Sequence, residues 1–118
     1  YTNSLQVATS AVRFYEAAKY YSMAAQKGHE GAQHNLAVLY YTGRGVKQDM
    51  RQAYEWFYRA ARSGVNISMC MLGSMYENGE YVKKDLKSAL YWYQMAYKSG
   101  NKAAYDKWQK AKAKIIKC

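Results

Sequence analysis

The sequence predicts an all-α protein of about six antiparallel helices, built from a helix-pair unit of 36 residues. Three observations predict this class. Gly28, Gly64 and Gly100 recur at intervals of 36 residues. Aromatic and alanine residues recur at the same interval ahead of each glycine. Within each unit the apolar residues follow the period of an α-helix.

The recurrence covers too many positions to be chance. Residues 36 apart share a column, and the clearest columns are Tyr20, Trp56 and Trp92; Tyr21, Phe57 and Tyr93; Ala17, Ala53 and Ala89; and Ala24, Ala60 and Ala96. The alanines let helix axes approach closely and the rings fill the space between them. One unit cannot bury its apolar face alone, so stacked units must supply the core.

The 36-residue frame divides the single repeat domain, residues 1–118, into four parts. Residues 1–28 form an N-terminal half-unit with a helix at about 10–27. Residues 29–64 and 65–100 are full repeats, and residues 101–118 form a basic C-terminal capping helix. The half-unit acts as a cap or follows earlier repeats that were removed. Since the chain starts at Tyr1, we expect a mature or truncated chain without its initiator Met.

Each full repeat contains a shorter helix, a turn and a longer helix. Leu36, Leu39 and Tyr40 lie on one face of the first shorter helix. Asp49 and Asp85 are suited to cap the longer helices, which end at Gly64 and Gly100. Tyr81 replaces Gly45 in the second turn, so we expect that turn to differ in detail.

These residues resemble the Sel1-like repeat family, a relative of the tetratricopeptide repeat. The first full repeat matches the family pattern at thirteen of fourteen positions, the exception being Ala37, where the family has glycine. The fourteen positions are Ala32, Leu36, Ala37, Tyr40, Gly43, Gly45, Val46, Asp49, Ala53, Trp56, Phe57, Ala60, Ala61 and Gly64. The second departs at Ser68, Tyr81 and Tyr97. The resemblance implies a right-handed α-solenoid in which Gly28, Gly64, Gly100, Trp56, Trp92, Asp49 and Asp85 are structural.

The resemblance also implies a non-catalytic adaptor or inhibitor, commonly a bacterial periplasmic or secreted protein. In the tetratricopeptide arrangement, the first helix of each unit lines a concave groove that binds a protein partner. The groove positions are then His34, Val38, Tyr41, Ser74, Glu77, Asp106 and Lys110. Tyr54, Tyr58 and Tyr91 lie off the core face, where they either anchor a partner or pack against the neighbouring unit.

The charge suggests a second partner class. The net charge is +10, and residues 98–118 hold seven lysines against one Asp, a net +6. These lysines form either the polar outer face of a solenoid cap or a surface for an acidic protein or anionic membrane. The acidic protein could be a toxin, inhibited as by an immunity protein. Nucleic acid is not expected, because the segment has no arginine and no nucleic-acid-binding motif appears.

Catalytic, metal and cofactor sites are not expected. His34 lies four residues after Glu30, but no third ligand is near in sequence. A weak hydrolase is the less favoured alternative, by analogy with cysteine-rich relatives. Cys70 and Cys118 are too far apart along their helices to pair, so both are predicted to be free thiols. No apolar run is long enough for stable membrane insertion.

Overall fold

The computed structural model describes the backbone of residues 2–117 and the side chains of residues 10–116. Across that range the chain folds into six α-helices without a strand, which confirms the all-α class. The helices are α1 (Thr2–Gln26), α2 (Glu30–Thr42), α3 (Met50–Arg62), α4 (Asn66–Asn78), α5 (Leu86–Lys98) and α6 (Ala104–Lys117).

The first helix is longer than the sequence predicted. It was expected to start near residue 10, but α1 begins at Thr2. Residues 2–13 contain neither glycine nor proline, so nothing in this segment interrupts helical hydrogen bonding. Because this segment lacks the glycine turn that separates the helices of the full repeats, the helix can extend.

The four helices of the two full repeats are each 13 residues long, so the predicted difference between a shorter and a longer helix is wrong. The second helix of each repeat begins after an aspartate, and the first helix ends at a glycine. Asp49 Oδ1 accepts hydrogen bonds from the backbone N–H groups of Arg51 and Gln52, at 3.1 and 3.2 Å. Asp85 caps α5 in the same way, and the Ser88 hydroxyl also donates to its carboxylate. These bonds lower the pKa of Asp85, with the Ser88 hydroxyl as the largest cause. Local sequence therefore sets where each helix starts.

The two turns between the first and second helices of the full repeats share a left-handed residue, contrary to the expected difference. Gly45 has φ +73° and Tyr81 has φ +65°. The surroundings of Gly45 and Tyr81 differ. A Cβ on Gly45 would lie 2.2 Å from the carbonyl oxygen of Phe14, whereas the Tyr81 side chain is 54 % exposed. The first turn needs glycine because it lies directly on the backbone of α1, and the second turn accepts the strain of a larger residue.

The chain divides into two compact units, Tyr1–Trp56 and Phe57–Cys118. In the first unit α1 packs on α2, and the core contains Ala25, Leu36, Ala37 and Ala53. Trp56 is buried, but Tyr20 in the same column is 69 % exposed. Tyr20 therefore does not fill a core position as its column predicted.

In the second unit α5 packs against both α4 and α6. Tyr93 is the largest fully buried side chain, and it lies in one cluster with Ala89 and Ala111. Trp92, one column earlier, contacts Tyr58 on α3, the second helix of the preceding repeat. The same comparison explains why Tyr20 is exposed. Among the described residues no helix precedes α1, so none covers Tyr20 as α3 covers Trp92.

Candidate partner-binding surface

The predicted groove positions of α2 lie in one row. His34, Val38 and Tyr41 are separated by four and three residues, which places them on one helix face, and all three are half-buried. Burial lowers the pKa of His34, so its imidazole is neutral at pH 7. The row is thus a mixed surface of neutral polar and apolar groups that solvent still reaches.

The predicted groove positions of α4 are already engaged within the protein, Ser74 by a hydrogen bond from Asn78 and Glu77 by two others. Ser74 and Glu77 are half-buried. Glu77 Oε1 accepts a hydrogen bond of 2.7 Å from the Tyr93 hydroxyl, and Glu77 Oε2 accepts one of 2.6 Å from Lys114 Nζ. We call Glu77, Tyr93 and Lys114 the carboxylate cluster; it joins α4, α5 and α6.

The carboxylate cluster keeps Glu77 ionised and Tyr93 protonated. Burial raises the pKa of Glu77, but the hydrogen bonds from Lys114 and Tyr93 and the nearby lysine charges outweigh it, so the net pKa is below the ordinary value. Burial and the Glu77 carboxylate raise the pKa of Tyr93. Glu77 therefore holds three helices together, a role that its sequence position did not reveal.

The lysines of α6 do not all have the same role. Lys107 and Lys110 are exposed, as is Asp106. Lys114 belongs to the carboxylate cluster. Lys117 and Cys118 lie outside the residues whose side chains are described. One lysine of the predicted basic surface, Lys114, is thus already paired within the protein, while its side chain remains 57 % exposed.

The tyrosines that lie off the core face combine packing and exposure. Tyr58 and Tyr91 each contact the Trp92 ring edge-on, with centroids 6.1 and 5.2 Å away. They remain 37 % and 54 % exposed, whereas Tyr54 is half-buried. The Tyr58 hydroxyl also accepts a hydrogen bond from Arg62. Tyr58 and Tyr91 therefore lie in a packed aromatic group that leaves part of each ring at the surface.

A second aromatic group was missed by the sequence reasoning. Tyr97 and Tyr105 stack near Trp108, with all three centroid distances between 5.3 and 6.0 Å. Tyr97 and Tyr105 are 40 % and 45 % exposed, and Lys107 and Lys110 are exposed on the same helix as Trp108. The available signal was Tyr97 itself, which replaces the second alanine of the repeat pattern.

The residues considered for metal or thiol chemistry have local contacts within the protein. Among the described residues, no three or more His, Cys, Asp or Glu side chains are grouped so that they could hold a metal ion. His29, the other histidine, accepts a hydrogen bond from the Ala32 N–H and so caps α2. Cys70 is a free thiol whose pKa is raised by burial, and Asn101 donates to its sulfur. No helix in the described range is long and apolar enough to cross a membrane.

Comparisons with known proteins identify the repeat. The model of the Sel1 repeat matches residues 11–29, 31–65 and 66–101. A solved Sel1 repeat protein from Oxalobacter formigenes is 36% identical, with a TM-score of 0.77 over 80% of this chain and 38% of that protein. A protective antigen of uropathogenic Escherichia coli with an SLR fold is 37% identical, with a TM-score of 0.74 over 76% of this chain and 19% of the antigen. The chain thus spans less than half of either protein. No curated protein matches it.

Proposed function

This chain belongs to the Sel1 repeat family, and we propose that it is a non-catalytic adaptor or inhibitor that binds another protein. Repeats of this family generally mediate protein–protein interaction. The observation that carries the proposal is the row His34, Val38 and Tyr41: one helix face, half-buried, mixed in polarity and without ionised groups at pH 7. Such a surface offers area for contact at low desolvation cost.

The proposal is tested by affinity capture with immobilised protein, followed by mass spectrometry. We expect Val38→Lys to abolish capture of the partner that the unmodified chain retains, because a charge would have to be desolvated at the interface. Glu55→Gln, on the exposed Arg51–Glu55 pair, is the matched control and should retain the partner. Circular dichroism must show both variants folded. Equal capture by the two folded variants would refute the groove assignment.

A second candidate surface is specific to acidic proteins. It combines the exposed rings of Tyr97 and Tyr105 with the exposed Lys107 and Lys110. Aromatic rings next to basic groups suit a partner with acidic and apolar side chains, such as a toxin that the chain would inhibit. We also propose a periplasmic or secreted location, which the resemblance to this family implies.

Charge reversal separates this second surface from the first. Lys107→Glu with Lys110→Glu should slow association with an acidic partner, and the effect should shrink as salt is raised. Lys27→Glu with Lys47→Glu, at two exposed positions of the first unit, changes the net charge by the same amount and serves as the control. An effect of the same size in the control would leave net charge, and not this surface, as the cause. That result would refute the second candidate.

A further inference from the structure

The first unit contains a cavity that the repeat pattern does not explain. It has a volume of about 360 Å³, within the range of ligand pockets, and lies between α1 and the segment from Tyr40 to Val46. Its wall on α1 includes Tyr15, Ala18 and Ser22. All of these residues belong to the unit Tyr1–Trp56.

A comparison of equivalent positions in the next repeat indicates which kind of side chain would fit this cavity. Thirty-six residues after Ala18 and Ser22, the chain has Tyr54 and Tyr58. In the later repeat, the Tyr58 ring lies edge-on against Trp92 and its hydroxyl accepts a hydrogen bond from Arg62. Two residues that line the cavity, Ala18 and Ser22, are thus small where the next repeat has tyrosines. A tyrosine ring from outside the unit is the occupant that this comparison favours.

The remaining walls suit a ring with a carboxylate beside it. Tyr15 and Tyr40 offer aromatic contacts, and Met23 adds a thioether. Lys19 also lines the cavity, and its Nζ lies 5.2 Å from the centre of the Tyr15 ring. An ammonium group at this place complements an acidic group next to the ring.

The cavity is preformed on its loop side. Gly45 lies so close to α1 that no Cβ could be added, since the Phe14 carbonyl oxygen would be 2.2 Å away. The guanidinium carbon of Arg44 is 5.3 Å from the centre of the Phe14 ring. The turn is therefore held against the helix in the free protein, which reduces the ordering cost of binding.

We infer that this cavity binds a tyrosine side chain of a protein partner at a position with adjacent acidic residues. The inference rests on the proposed protein-binding function for the source of the tyrosine, but the cavity itself is tested without any partner. The probe is an acetylated, amidated tripeptide with tyrosine between two glutamates. Two matched probes replace the tyrosine with leucine or both glutamates with lysine.

Binding is followed by the ¹⁵N–¹H shifts of the Gly45 and Val46 amides. We expect the tyrosine probe to move both signals, and the leucine probe to bind about twofold to tenfold more weakly, the range for an aromatic contact. Lys19→Gln should weaken the tyrosine probe about twofold to fivefold, as expected for an exposed ion pair, while Lys27→Gln should not. No movement of these signals up to the solubility limit of the probe would overturn the inference.

Filling the cavity provides the second test. Ser22→Tyr restores the residue type of the next repeat and should abolish the Gly45 and Val46 shifts. If this variant does not fold, Tyr15→Ser, at a side chain that is 55 % exposed, removes one aromatic wall and should weaken the tyrosine probe. Unchanged probe binding in a folded variant of either kind would overturn the inference. Probe binding in a protein that captures no partner would instead refute the proposed function and leave the cavity assignment intact.

Discussion

Removing the Tyr93 hydroxyl should measure how much the carboxylate cluster contributes to the free energy of unfolding. In Tyr93→Phe the buried ring is kept, and the 2.7 Å hydrogen bond of the hydroxyl to Glu77 is lost together with its side-chain hydrogen bond with Ser74. Hydrogen bonds to charged groups contribute about 1.5–3 kcal/mol. Lys114 still neutralises Glu77 in the variant, so we expect the lower end, about 1.5 kcal/mol.

This loss is large enough to measure by thermal unfolding. An unfolding entropy of about 2.1 cal/mol/K per residue gives about 250 cal/mol/K for the chain of 118 residues. A loss of about 1.5 kcal/mol then lowers Tm by about 6 °C. Glu55→Gln breaks the exposed ion pair Arg51–Glu55, whose side chains are 71 % and 47 % exposed, and should shift Tm by less than about 2 °C.

The pH dependence of unfolding distinguishes the stabilisation by the ionised Glu77 carboxylate from stabilisation by packing of the Tyr93 ring. The folded pKa of Glu77 is lowered, so its contribution is complete above the unfolded value of about 4.3 and is lost as pH falls through the folded pKa. Unfolding of Tyr93→Phe and the unmodified chain should therefore differ more at pH 7 than at pH 3. A Tm difference that is below 2 °C at pH 7, or unchanged at pH 3, would refute the role of the carboxylate cluster.

Two further predictions concern left-handed turn residues. Gly45→Ala should lower Tm by more than Gly28→Ala, because an added Cβ at Gly45 meets the Phe14 backbone, whereas at Gly28 nothing lies within 4 Å; equal shifts would contradict the close approach. Tyr81→Gly should raise the free energy of unfolding by about 1 kcal/mol in urea titration, because it removes the cost of φ +65° for a residue with a Cβ. A decrease would mean that contacts of the Tyr81 side chain outweigh its backbone strain.

The repeat made most of the fold predictable, because columns 36 residues apart identify helices, caps and turns by local rules. The columns could not show whether a neighbouring helix covers each position. Trp92 has Tyr58 beside it, but Tyr20 has no earlier helix within the described chain and is exposed. The columns also did not show that α1 extends to Thr2, which depends on the lack of glycine and proline in residues 2–13.

The candidate surface was less predictable, because its chemistry depends on contacts between distant residues. Glu77 and Lys114 are 37 positions apart, so sequence spacing alone cannot pair them. Glu77 was predicted to line the groove and Lys114 to belong to the basic surface, but the two side chains form an ion pair with each other. The proposed tyrosine-binding cavity was hidden for a related reason: Ala18 and Ser22 fit a helix well, and only the contrast with Tyr54 and Tyr58 makes their small size informative.

The carboxylate cluster also bears on how the second unit unfolds. Helices in a repeat array generally depend on their nearest neighbours, and terminal helices fray first. Glu77 binds directly to both α5 and α6, so separating α6 would leave a half-buried carboxylate without its cation and a fully buried ring without part of its cover. Local opening at the C-terminal end would then carry nearly the cost of opening all three helices. Amide hydrogen exchange across α4, α5 and α6 should accordingly follow one cooperative opening, in place of the gradient of protection typical of a free solenoid end.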